Sequence, residues 1–142
     1  SGLIVLERDR VRLNGWQPSL TPHEEATVER LKAMLLQGRC SPPSPRELAD
    51  QLGLPHADVQ ALLKFLSEQG EVVRISPDFY LEVTVYREVI GKLKDFLVEN
   101  GTISMGEFRD LLQTTRKYAV PLAEYLDARR ITRRVGDVRM LF

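Results

Sequence analysis

Reactive groups are scarce in this chain of 142 residues. It holds one cysteine and two histidines. A lone Cys40 excludes an internal disulfide framework and fits a reducing cytoplasm. It stands beside a proline-rich loop with only Arg39 near it in sequence, too little to activate a thiol. His23 and His56 fall at the starts of different elements, and neither has a Cys or His neighbour to complete a metal set. No G-x-x-x-x-G-K loop is present to cradle a nucleotide phosphate, and no G-x-S-x-G turn to hold a nucleophile. Carboxylates are plentiful but dispersed. Glu24, Glu25 and Glu29 gather only at a helix start, where the helix dipole accounts for them. Long apolar runs are also missing. Ala33-Met34-Leu35-Leu36 is among the longest, far short of a membrane span, and no stretch reads as a signal or transit segment. An enzyme is therefore not expected, nor a metal site, nor a membrane partner.

Net charge is absent as well, with 20 Lys/Arg against 20 Asp/Glu. The balance hides a division. Residues 1–83 hold nine Lys/Arg and twelve Asp/Glu, whereas residues 84–142 hold eleven and eight. The question of a polyanionic partner thus moves to the second half.

What the sequence does have is a repeat. A shift of 60 superposes Leu48, Leu52, Val59, Leu62, Leu66, Ile75 and Leu81 on Phe108, Leu112, Ala119, Leu122, Leu126, Val135 and Leu141. The apolar positions survive the shift while the polar surface changes sign: Pro55-His56-Ala57 becomes Thr115-Arg116-Lys117. Each copy is near the lower size limit for folding alone, so contact between copies is expected.

The two copies read alike element by element. Leu3 to Leu6 and Val11 with Leu13 suggest a leading hairpin, read as the end of a preceding domain in a longer protein. Thr21-Pro22 with Glu24 and Glu25 opens a helix that Gly38 closes. After Ser41-Pro42-Pro43-Ser44-Pro45 comes a short helix with Ser44 and Glu47 as its capping box. A third helix runs from Ala57 to Glu68, followed by strand, turn and strand through Leu81. In the second copy, Val85 to Glu99 is helical, and Ser104 and Glu107 cap a short helix. A third helix, capped by Thr114 or Thr115 and bent by Pro121, reaches about Ala128. A hairpin from Ile131 to Phe142 turns at Gly136-Asp137, in type II′ form. Helix, helix, turn, helix and a two-stranded wing make a winged helix. The expected class is α+β, mainly α, with tandem winged-helix domains: residues 1–20 a wing remnant and linker, 21–83 a spacer module, 84–142 the binding module.

The candidate ligand-binding residues are cationic and lie in the second copy. Arg116 and Lys117 occupy the first turn of its third helix, where the dipole disfavours cations. Free backbone N–H groups and two positive side chains can meet a phosphate there, with Thr115 helping. Tyr118 either stacks on a splayed base or belongs to the core. Arg133 and Arg134 sit on the wing, on opposite faces by strand alternation, and Arg139 returns on the partner strand beyond Gly136. Arg129 and Arg130 complement the negative helix end equally well. Arg109 is a weaker candidate that Asp110 or Glu107 can pair. The first copy has Asp58 at the matching helix start, which repels phosphate.

The runs Ile103-Ser104-Met105-Gly106-Glu107-Phe108-Arg109-Asp110, Arg116-Lys117-Tyr118-Ala119, Leu122-Ala123-Glu124-Tyr125-Leu126-Asp127 and Thr132-Arg133-Arg134-Val135-Gly136 resemble the C-terminus of the bacterial selenocysteine-specific elongation factor SelB family. The resemblance is specific over residues 84–142; earlier residues match by order and pattern. It implies the third and fourth winged-helix domains of that family, the last of which binds the SECIS hairpin of selenoprotein mRNA next to a UGA codon. It also implies a GTPase body with GTP and Mg elsewhere in the full-length protein, and through it the ribosome and selenocysteinyl-tRNA as partners. The segment itself is expected to be a non-enzymatic, cofactor-free, cytoplasmic monomer. The rival readings are a tandem winged-helix DNA-binding regulator and a protein–protein adaptor.

Overall fold

The computed structural model describes residues 21–142. The proposed hairpin and linker of residues 1–20 lie outside them. The chain divides into two units, residues 1–30 and 31–142. All that follows concerns the second, apart from the opening of the first helix.

Helix α1 runs Pro22–Gly38. Its start is closed reciprocally: the Glu24 backbone donates to Thr21 Oγ1 (3.1 Å), and the Thr21 backbone donates to Glu24 Oε1 (2.9 Å). Helix α2, Pro45–Leu52, opens on the expected capping box of Ser44 and Glu47. The two hydrogen bonds from Ser44 hold the Glu47 carboxyl below its ordinary range, the backbone bond more than the hydroxyl. Helix α3, His56–Glu68, buries Val59, Leu63 and Leu66. Strands β1, Val72–Ser76, and β2, Phe79–Glu82, form an antiparallel pair. The second copy follows with α4 at Val83–Asn100, β3 at Ile103–Ser104, α5 at Met105–Leu112, α6 at Arg116–Ala128, β4 at Thr132–Val135 and β5 at Val138–Leu141. Helix α5 repeats the capping box with Ser104 and Glu107. Pro121 lies inside α6 without ending it.

The period of 60 holds from α2 and α3 to α5 and α6, and from β1 to β4. It falls to 59 on the last strand, because Val72 pairs with Glu82 and Thr132 with Leu141. The second wing turns in two residues, Gly136-Asp137, between the paired Val135 and Val138. Gly136 adopts φ 62° and Asp137 stays out of the left-handed region, as type II′ demands. The first wing has an irregular register between Arg74 and Ser76. Ile75 is buried there, whereas Val135 at the matching position is 47% exposed.

A third strand, β3, joins the second sheet in the order β3-β5-β4. The sequence pattern does not announce it: two residues are too few to show alternation. The first copy has Pro42-Pro43 where the second has Thr102-Ile103. Proline has no N–H to donate to a ladder, and the first sheet keeps two strands.

One hydrophobic cluster runs through both copies. Ile75, Phe79 and Leu81 of the first wing join Val85, Val89 and Leu93 of α4 and Ala119, Leu122 and Leu126 of α6. Helix α6 packs on β1 as well as on its own β4, and the Phe79 and Tyr118 rings meet edge to face at 5.3 Å. At the turn before α6, Thr114 Oγ1 donates to the Cys40 carbonyl (3.0 Å) and lies 2.6 Å from Ser41 Oγ. Arg39 pairs with Glu88 beside it.

Candidate nucleic-acid interface

Helix α6 sets the site. Its far face is taken by the first wing, so the residues left to solvent at its start are Thr115, Arg116 and Lys117, all exposed. Thr115 is the N-cap residue but its side chain makes no capping bond. Helices α4 and α5 are capped by Glu82 and Ser104 side chains. The first N–H groups of α6 therefore remain available to an anion, next to two cations that the helix dipole does not favour.

The wing supplies the opposite wall. Thr132 is buried and its hydroxyl donates to Asp127 Oδ1 of α6 at 2.6 Å. Arg139 Nε donates to both oxygens of the same carboxylate, at 3.2 and 2.9 Å. Asp127 thus ties both wing strands to the helix. Directly opposite residues on antiparallel strands share a face. Arg134 pairs with Arg139 and Thr132 with Leu141, so these four face α6. Arg133 and Val135, paired with Met140 and Val138, face outward.

Between the walls lies an open cleft of about 450 Å³, bordered by Arg116, Val120 and Glu124 of α6, Arg134, Asp137 and Arg139 of the wing, and the start of α5. Two like charges directly across a strand pair repel. The Asp127 carboxylate offsets that for Arg139, while Arg134 donates its Nε only to the Gly136 carbonyl (3.0 Å). The geometry fits a phosphate or a base edge seated between three guanidinium groups.

The residues singled out in the sequence fall into four places. Arg116, Arg134 and Arg139 meet in the cleft, with Thr115 and Lys117 at its helix end and Gly136 at the wing turn. Lys117 Nζ lies over the Tyr118 ring, 5.3 Å from its centroid, and Tyr118 itself is half-buried against Phe79 of the first copy. Arg109 pairs with Asp110 at 3.1 Å, as its neighbours in sequence suggested. Arg133 is exposed on the outer wing face. Asp127 was not anticipated. An acid in the last turn of a helix works against the dipole, and that broken rule was the available signal.

Fold and cleft define a tandem winged-helix protein in which one module has a cationic face. The comparisons narrow this. The family described as Elongation factor SelB, winged helix, matches residues 95–141. The selenocysteine-specific elongation factor of Desulfomicrobium baculatum is 34% identical over 141 residues, covering 99% of this chain and 22% of that protein. The Escherichia coli (strain K12) counterpart is 30% identical over 96 residues, 68% of this chain and 16% of its own length. The mRNA-binding domain of E. coli elongation factor SelB, solved in complex with SECIS RNA, superposes with a TM-score of 0.69 at 26% identity, covering 81% of this chain and 96% of that one. A bacterial selenocysteine-specific elongation factor EF-Sec gives 0.67 at 25% identity, over 82% of this chain and 18% of its own. The chain belongs to the winged-helix part of the SelB family. It spans roughly a fifth of the length of the relatives it matches.

Proposed function

We propose that this segment is the mRNA-reading part of a selenocysteine-specific translation elongation factor, and that it binds the SECIS hairpin of selenoprotein mRNA beside a UGA codon. The observation that carries the proposal is the convergence of Arg116, Arg134 and Arg139 on one cleft, on a fold similar to that of a SelB domain bound to SECIS RNA. Arg116, Lys117, Thr115 and the free N–H groups at the start of α6 hold phosphates from one side; Arg134, Arg139 and the turn at Gly136 close from the other. Arg109 and Tyr118 lie at the margin, and Tyr118 acts through the packing of α6. Residues 84–142 are the reader and residues 21–83 the spacer that supports it.

The packing of α6 favours a hairpin loop over duplex DNA. A helix with its side chains is about 10–12 Å wide and fills a major groove of about 12 Å. Helix α6 packs on β1 as well as on β4, and its exposed cations, Arg116 and Lys117, are both at its start. In the whole protein we assign GTP hydrolysis with Mg, the ribosome and selenocysteinyl-tRNA to regions outside this segment, and its place to the cytoplasm. Among the described residues no helix is long and apolar enough to cross a membrane. The segment acts as a monomer and carries out no reaction of its own.

The test is a gel-shift titration of a SECIS-type hairpin, competed with duplex DNA of equal charge at fixed salt. Arg116→Ala and Arg134→Ala should each weaken hairpin binding by about 1–3 kcal/mol. Unchanged affinity in both variants, or equal competition by duplex DNA, rejects the assignment.

A further inference from the structure

The outer face of the second wing has a counterpart in the first copy, and that counterpart is covered. In the first wing Val73, Ile75, Phe79 and Leu81 are packed into the shared core. The pairing registers align Val73, Phe79 and Leu81 with Arg133, Val138 and Met140, and the period of 60 aligns Ile75 with Val135. The correspondence extends one step past the strands: the Val83 backbone donates to the Glu71 carbonyl and the Phe142 backbone to the Ile131 carbonyl, both at 3.1 Å. Phe142 therefore continues the outer face of the second wing beside Arg133 and Met140.

That face is apolar and open. Val135 is 47% exposed and Phe142 is 67% exposed. It also has cations that the first copy lacks. Val73 is replaced by Arg133, and Gly70 by Arg130. Arg130 sits at φ 60°, a left-handed conformation that glycine adopts freely and arginine does not. Its guanidinium lies 5.9 Å from the centre of the Phe142 ring. No carboxylate partners Arg130 or Arg133 among the described residues. One position of a protein-docking face, Val73, has thus become positive, and beside it a second cation, Arg130, is held in a strained conformation. A second protein module would leave those charges buried and unpaired. A polyanion with flat apolar groups would satisfy both features: bases stack on an aromatic ring while arginines hold the backbone.

We infer that the outer wing face, formed by Arg130, Arg133, Val135, Met140 and Phe142, is a second binding site that takes unpaired RNA flanking the hairpin. The inference rests on the RNA-binding reading of the cleft. The two faces share β4 and β5, so the outer face lies one sheet away from a hairpin loop held in the cleft, and an extension folded back along the stem reaches it. Phe142 supplies the stacking surface, and Arg130 and Arg133 meet the phosphates on either side of the stacked base.

The experiment compares a bare SECIS-type hairpin with the same hairpin carrying an unpaired extension of about eight nucleotides at one end or the other, by fluorescence anisotropy. One extension should tighten binding to the unaltered protein by about tenfold, the scale of one stacked base. The double variant Arg133→Ala, Phe142→Ala should lose that gain and bind the bare hairpin as before, which also shows that it is folded. No gain with either extension overturns the inference, and so does a gain that the double variant retains. A polyglutamate peptide that displaces the extension as well as an unpaired oligonucleotide does would assign the face to an acidic protein segment and also overturn it. If the bare hairpin fails to bind, the cleft reading fails alone. An unpaired oligonucleotide titrated against the unaltered protein and the double variant then decides the outer face by itself.

Discussion

Arg133 and Arg134 are neighbours in the chain with different surroundings. Arg134 shares a cleft with Arg116 and Arg139, and Arg133 looks out beside Met140. Binding of the bare hairpin should separate them: Arg134→Ala weakens it by about 1–3 kcal/mol, while Arg133→Ala leaves it within about 0.5 kcal/mol. Isothermal titration of both variants against one hairpin reads the difference. Strand alternation made the opposition visible in the sequence. Which arginine faced the helix was not, because it depends on Thr132 and Arg139 finding Asp127 across the fold. Cys40 gives a second contrast at this scale. Burial pushes its thiol up, outweighing the nearby Lys92 and Arg39, so little thiolate forms at neutral pH. Iodoacetamide should label it at least about tenfold more slowly in the native protein than in urea, as followed by mass spectrometry.

Helix starts were the most legible elements, since the Thr21/Glu24, Ser44/Glu47 and Ser104/Glu107 pairs combine with apolar spacing to place three helices. Helix ends were less so. Gly53 closes α2 in the left-handed region at φ 69°, and Gln113 occupies the matching place after α5 at φ 54°. Nothing about Gln113 in sequence signals that conformation. Gln113→Gly should stabilise the protein by about 1 kcal/mol in urea unfolding, because the side chain gives only strain there. The wing has the reverse dependence. Asp127 holds Thr132 on one strand and Arg139 on the other, and the Arg139 side chain is only 12% exposed. Asp127→Ala leaves a part-buried guanidinium and a buried hydroxyl without their acceptor. The loss should be about 2–3 kcal/mol, between the values for exposed and buried pairs, and hairpin affinity should fall with it as Arg139 loses its place in the cleft.

At the scale of the molecule, the repeat is not a count of independent parts. Ile75, Phe79 and Leu81 belong to the same apolar cluster as Leu122 and Leu126, so exposing one copy strips the other. Urea unfolding of residues 21–142 should be a single transition, with circular dichroism and tyrosine fluorescence coincident. Residues 84–142 alone should be less stable and bind the hairpin more weakly. The fusion was only partly legible: two small cores implied contact, but the period gave no hint that Tyr118, at the start of the third helix, would lie against Phe79.

That contact also has a direction. The wing of one copy receives the helix of the copy that follows it, as in a head-to-tail stack rather than a pair related by a twofold axis. Such a stack has unlike ends. A module added ahead of the pair would present its wing to a partner already in line and leave the reading surface untouched. A module added behind on the same pattern would cover the outer wing face. The two ends of such a stack are therefore not interchangeable: one offers a wing as a socket, the other a helix start as a plug.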